Sequence, residues 1–154
     1  MAVEIERKFL VPVLPDDLPQ GKAIRQGYIQ NEPGKTVRVR TKGDRGFLTV
    51  KGSTGDMTTR NEFEYEIPLA DALALLENFC EKPLIEKTRY TVRINGFEWV
   101  IDEFYGDNQG LRMAEIELTS PDQSFDLPAW AGEEVTHDPR YFNASLINHP
   151  FSAW

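Results

Sequence analysis

Apolar and polar residues alternate with period two along most of the 154-residue chain. That spacing places successive side chains on opposite faces of an extended strand. It predicts strands over 3–11, 22–30, 35–42, 46–52, 61–67, 84–94, 97–105 and 112–120, divided by turns rich in Gly, Asn, Asp and Pro. Asn95-Gly96, between two alternating runs, is the clearest hairpin, because a type I′ turn needs positive φ at both central residues. Helical spacing appears twice. Pro68–Cys80 carries Leu69, Leu73, Leu76 and Phe79 on one stripe, and a shorter C-terminal stretch runs from Asp138 or Pro139 to Leu146 or Ile147. Eight strands with mostly short connections predict a mainly β (α+β) fold, an antiparallel sheet closed into an eight-stranded barrel with helices outside or at one end. No linker divides the chain, so residues 1–154 read as one domain.

The polar faces of these strands carry runs of one sign. The first strand shows Glu4, Glu6 and Lys8 on one face; the third shows Arg38 and Arg40; the fourth Thr49 and Lys51; the fifth Glu62, Glu64 and Glu66. Lys87, Arg89 and Arg93 share a face of the sixth strand, Glu98 and Asp102 of the seventh, Glu115 and Glu117 of the eighth. A charged face on a single antiparallel strand ordinarily meets solvent. Solvated faces, however, tend to mix signs with Ser, Thr and Gln. Carboxylates two apart on a strand lie about 6.6 Å from each other, a repulsion of roughly 2.5 kcal/mol at an effective dielectric near 20. An enclosed acidic row therefore needs cations, from facing strands or from a metal. Turning the charged faces inward makes a wide polar channel, with the apolar faces outside and partly covered by helices and loops. Acids on some strands and guanidinium or ammonium groups on others suit a polyanion held with divalent cations, since carboxylates are hard oxygen ligands and arginine is a planar fork for phosphate. In that arrangement Glu4 and Glu6 face a metal and Lys8 faces phosphate.

Composition narrows this picture without changing it. The chain is 40% hydrophobic and 27% charged, enough for an ordinary core, and its formal net charge is −8. That balance argues against nucleic-acid or anionic-membrane partners, which reward surface lysine and arginine. Cys80 is the single cysteine, which fits a reducing cytoplasm, and neither a signal peptide nor an apolar run long enough for a membrane span is expected. His137 and His149 lack a spaced partner and are not expected to hold metal, and Cys80 is expected to pack. Trp99, Trp130 and Trp154 read as packing residues; Tyr28 leans toward the channel; Arg93 and Glu66, near strand ends, lean toward solvent; Arg140 and Tyr141 cap the channel or anchor the terminal helix.

The motif Glu4-x-Glu6-x-Lys8 resembles the signature of the triphosphate tunnel metalloenzymes, the CYTH superfamily. The later rows match in the family's order: VRVR with Arg38 and Arg40, TVK with Lys51, NEFEYEI with Glu62 and Glu64, EKTRY with Lys87 and Arg89, VIDEF with Asp102, and AEIEL with Glu115 and Glu117. The short chain and its DPRYFNASL ending resemble the small bacterial members, tripolyphosphatases among them. The resemblance implies a tunnel that binds inorganic triphosphate with Mg²⁺ or Mn²⁺, two ions in all, and hydrolyses it. It implies Glu4, Glu6, Glu115 and Glu117 as principal metal ligands, with Glu62, Glu64 and Asp102 contributing directly or through water. Lys8, Arg38, Arg40, Lys51, Lys87 and Arg89 would grip the phosphates, with Lys8, Glu6 and Arg40 closest to the chemistry, and the C-terminal helix would be a plug at the tunnel mouth. A class IV adenylyl cyclase, a thiamine triphosphatase and a non-catalytic binder of polyphosphate or nucleotide stay open as alternatives. A homodimer is a further expectation, because the outward apolar faces exceed what two helices cover.

Overall fold

The computed structural model describes residues 2–55 and 59–154. Eight antiparallel strands, β1 (Ala2–Leu10), β2 (Lys22–Glu32), β3 (Lys35–Lys42), β4 (Arg45–Ser53), β5 (Thr59–Ile67), β6 (Ile85–Ile94), β7 (Phe97–Phe104) and β8 (Arg112–Glu117), form a closed barrel in the order β1-β5-β4-β3-β2-β6-β7-β8. Closure comes from β1, which pairs with β8 through Glu6–Glu117 and Lys8–Glu115 and with β5 through Glu4–Arg60 and Ala2–Glu62. Closing the sheet removes every strand edge, and eight strands leave an interior about large enough for filling side chains or one small ligand. Asn95 and Gly96 both take positive φ, 53° and 82°, in the β6–β7 hairpin, as the turn chemistry requires.

The inside of the barrel is polar along most of its length and apolar at one end. Tyr28, Ile85, Phe104, Leu111 and Met113 lie in one cluster, which Val135, Tyr141, Leu146 and Ile147 close from the C-terminal segment. Two further clusters lie on the outer face. Phe9, Trp99, Ile101 and Ile116 pack beneath Leu14 and Leu18 of the first connection and Phe125 and Trp130 of the long final one. Trp99 meets Trp130 edge-on at 5.3 Å between ring centroids. Val39 packs with Ala72, Leu76 and Cys80 under the first helix, α1 (Leu69–Asn78), for which Pro68 is the N-cap.

The helix stripe differs from the one the sequence predicts. Leu76 is buried as that stripe requires, but Leu73 and Phe79 are exposed and Ala72 is buried in their place. The small residue wins because Gly46 lets β4 come close: a Cβ on Gly46 would stand 2.6 Å from the Cβ of Ala72. Gly46→Ala is therefore expected to lower stability by about 1–3 kcal/mol in urea unfolding without touching the interior charges, and an unchanged midpoint would rule out this contact as the cause. The C-terminal helix also differs. A single helical turn at Pro139–Tyr141 ends at Phe142, whose ψ of 134° is extended, and the second helix, α2 (Asn143–Asn148), starts afresh. On the outer sheet Val50, Phe63 and Tyr65 stay exposed, in register as Val50–Phe63 and Leu48–Tyr65, so one apolar stripe is left uncovered.

Candidate functional site

Alternation along closed strands brings the charged rows together. A cavity of about 820 Å³ is lined by Glu4, Glu6, Lys8, Arg38, Arg40, Lys51, Glu62, Glu64, Lys87, Arg89, Glu115 and Glu117. These are the predicted site residues except Asp102, which lies 2% exposed behind the wall they form. Strand order distributes the charge. The contiguous strands β5, β1 and β8 carry Glu62 and Glu64, Glu4 and Glu6, and Glu115 and Glu117, with Lys8 and Arg60 among them. β3 stands across the ring from β8 and turns Arg38 and Arg40 toward that acidic side.

Lys8, Lys51 and Arg89 each pair with a carboxylate directly opposite in register, and the other ion pairs around the cavity join residues that are not register partners. Lys8 stands opposite Glu115, and its Nζ lies 3.1 Å from that carboxylate and 3.6 Å from Glu6. Lys51 stands opposite Glu62 and reaches Glu4 at 2.9 Å and Glu62 at 3.4 Å. Arg89, opposite Asp102, donates Nε and Nη2 to its two oxygens at 2.7 and 2.8 Å, and Lys87 approaches the same carboxylate at 2.9 Å. Arg38 and Arg40 share Glu64 at 3.5 Å each, while Thr49 donates to it at 2.9 Å. Asp102 and Glu64 are thus engaged with cations and hold those cations in place.

The acidic wall is short of positive charge. Glu6 faces Glu117 across the β1–β8 ladder, where like charges oppose each other. Burial, then Glu115, pushes its carboxyl up to about 8. Burial with Glu4 raises Glu62, and burial with Glu4 and Glu98 raises Glu117. Glu115 is held well below the usual range against its burial by Lys8 and Arg89, and Glu4 is held low against its burial by Lys51. Opposite, the basic wall is short of negative charge. Burial, then Arg38 and Arg89, pushes the Arg40 guanidinium down to about 10, and its Nε is buried with no partner. Burial pushes Lys87 down to about 7 although Asp102 opposes this, and the neighbouring Arg89 adds to the fall. A site with two undersatisfied walls matches a ligand pair of opposite sign, an anion for one and a cation for the other.

The donor set of the acidic wall is oxygen only, as Mg²⁺ or Mn²⁺ prefers. Among the described residues no three acidic side chains converge on one point; Lys8 and Lys51 draw Glu115 and Glu4 to themselves. The fit to a divalent cation rests on the raised carboxyls of Glu6, Glu62 and Glu117, which a cation would relieve.

Three inward residues escaped the sequence pattern. Lys42 continues the Arg38-x-Arg40-x row, and Arg60 precedes Glu62 and Glu64 by the same step of two, so alternation alone could have found both. Arg60 packs its guanidinium 4.7 Å from the Phe142 ring centroid. Asn143 carries no such signal, because the terminal segment reaches the cavity only through tertiary folding. Tyr28 lines the cavity as expected, 4% exposed, and Arg93 is exposed. Glu66 pairs outside with Arg45. Arg140 pairs with Asp138 and stacks on Trp154 at 4.8 Å, which makes it an anchor of the terminal segment and no cap of the cavity.

The CYTH domain signature matches residues 2–151 of this chain. An inorganic triphosphatase of Acetivibrio thermocellus is 50% identical over 153 residues, 98% of this chain and 97% of the relative. One of Nitrosomonas europaea is 37% identical over 147 residues, 93% of this chain and 95% of the relative. A crystal structure described as an inorganic triphosphatase superposes with a TM-score of 0.68 at 36% identity, covering 96% of this chain and 95% of that one.

Proposed function

The chain belongs to the CYTH domain family, and from that premise we propose that it hydrolyses inorganic triphosphate to pyrophosphate and phosphate within the barrel, with divalent cations as cofactors. The observation that carries this reading is the enclosed cavity of about 820 Å³ with an acidic wall on β1, β5 and β8 and a basic wall on β3, β4 and β6. The names of both curated relatives support it. Lys8, Arg38, Arg40, Lys51, Lys87 and Arg89 bind the phosphate oxygens. Glu4, Glu6, Glu115 and Glu117, with Glu62, hold Mg²⁺ or Mn²⁺, two ions in all. When bound, the metal supplies charge neutralisation and a polarised water for in-line attack on phosphorus.

The chain's own part is positioning and electrostatics, which is most of what phosphoryl transfer asks of a protein. Arg40 and Arg38, fixed by Glu64, present guanidinium groups to the anion as its charge redistributes. Arg89, locked bidentately on Asp102, keeps its remaining N–H groups for substrate. Lys8 stands between the acidic wall and the cavity. Against its burial, Glu115 and Glu6 hold its proton firmly in the metal-free barrel, where it stands as a cation.

The test is phosphate release from tripolyphosphate, ATP and thiamine triphosphate by the purified chain in Mg²⁺ and in Mn²⁺. Fastest release from tripolyphosphate is expected. No release with either metal overturns the reading in favour of a non-catalytic binder, and cyclic AMP with pyrophosphate from ATP would assign a cyclase. Two further parts belong to the proposal. Cytoplasmic residence fits a chain with one cysteine; no described helix is long and apolar enough to cross a membrane. A homodimer would bury the exposed stripe of Val50, Phe63 and Tyr65, which sedimentation of the purified chain tests.

A further inference from the structure

We propose that Asn143 is a positioning residue for phosphate binding and acts through Lys87. The inference rests on the triphosphate reading and adds a residue from outside the barrel to that site. Lys87 is buried, 3% exposed, and its ammonium has three donors. One reaches Asp102 at 2.9 Å and a second reaches Asn143 Oδ1 at 2.9 Å. The third is left for the cavity that Lys87 and Asn143 both line. Two fixed acceptors thus aim the remaining N–H at a bound phosphate oxygen.

The orientation of Asn143 is determined by its neighbours. As an ammonium Lys87 can only donate, and Gln26 Nε2 donates to the same Oδ1 at 3.4 Å, so the amide oxygen faces them. Gln26 is fully buried and also reaches the Tyr28 hydroxyl at 3.3 Å, which ties this acceptor to the floor of the barrel. The terminal segment is held in turn by Asn31, which donates to the Ala144 carbonyl at 2.7 Å. Without Asn143, Lys87 has Asp102 as its only protein acceptor among the described residues, and its ammonium collapses toward a carboxylate that Arg89 already occupies. Phosphate then meets a cation that must reorganise before it can bind.

A double-mutant cycle tests this. The full chain, Asn143→Ala, Lys87→Met and the double variant are titrated calorimetrically with inorganic tripolyphosphate in EDTA, so that neither turnover nor metal loading enters. Asn143→Leu, close in volume, serves as the second variant, and thermal melting checks that each variant is folded. Asn143→Ala is expected to weaken binding about tenfold with Lys87 present and by less than about twofold in the Lys87→Met background. An equal loss in both backgrounds, no loss from Asn143→Ala or Asn143→Leu, or no binding to the unaltered chain overturns the proposal. Phosphate release in Mg²⁺, measured in parallel, judges the triphosphatase reading separately.

Discussion

Replacing Glu6 with glutamine is expected to lower tripolyphosphate turnover at least about 100-fold in Mg²⁺ and, at the same time, to stabilise the metal-free protein. Both effects follow from one position. Glu6 is 7% exposed, faces Glu117 in register, and has its carboxyl pushed up to about 8 by burial and then by Glu115. The glutamine keeps the shape and one acceptor oxygen but cannot supply the charge that the proposed cation needs. The stability effect has a definite sign with pH. A carboxyl raised from 4.5 to about 8 contributes stability that is fully present below 4.5 and is lost as pH rises through 8. Wild type and Glu6→Gln should therefore have similar urea midpoints near the ordinary carboxylate value of 4.5, and the variant should lead increasingly toward pH 8, by on the order of 1–3 kcal/mol. Lys8 keeps Glu115 at 3.1 Å, so the substitution strands no ammonium. Turnover within about threefold of wild type would remove Glu6 from the proposed metal-binding wall, and a variant less stable at the upper end of that pH range would contradict the raised carboxyl.

Arg40→Ala is the complementary loss on the other wall, again at least about 100-fold in turnover. Arg40 is 9% exposed, shares with Arg38 the one carboxylate that reaches it among the described residues, at 3.5 Å, and is pushed down to about 10 by burial and by the neighbouring arginines. A guanidinium kept in positive surroundings with an unpartnered Nε is poorly satisfied until an anion arrives. Its charge costs the free protein stability at every pH below about 10, so alanine relieves repulsion while losing the contact of the guanidinium with the Phe47 ring, 5.6 Å from its centroid. The two changes oppose each other, and the melting temperature is expected to move by only a few degrees. A large drop in stability with turnover scaled to the folded fraction would make Arg40 structural. Unfolding and kcat measured on the same preparation separate the two.

The opposite responses of these walls explain why the charges are tolerable at all. In a protein core an unmatched carboxylate or guanidinium would be neutralised or paired. In this barrel Lys8, Lys51, Arg89 and Asp102 tie most of them into pairs, and the remaining imbalance is split between two sides that face each other across the cavity. Binding the proposed polyanion with a divalent cation would satisfy both sides at once, which a ligand of one sign could not do.

Much of this was determined by sequence alone. Alternation fixes which residues of a strand share a face, so Glu4, Glu6 and Lys8, or Arg38 and Arg40, had to look the same way wherever the strand went. Asn95-Gly96 fixed a hairpin through its dihedral requirements. Those are local constraints, set within a few residues by backbone sterics. The direction in which a charged face points is a different kind of fact. It depends on ring closure through the β1–β8 pairing, on α1 and the two long connections covering the outer face, and on an apolar floor built from residues as distant as Tyr28 and Leu146. Leu73 and Phe79 fell outside the core because Gly46 admits Ala72, a contact between separate elements that no spacing rule contains. Asn143 meets Lys87 across 56 positions of chain for the same reason. Periodicity is local geometry; the enclosure that gives these charges their altered proton affinities, and their proposed use, exists only once the barrel has closed.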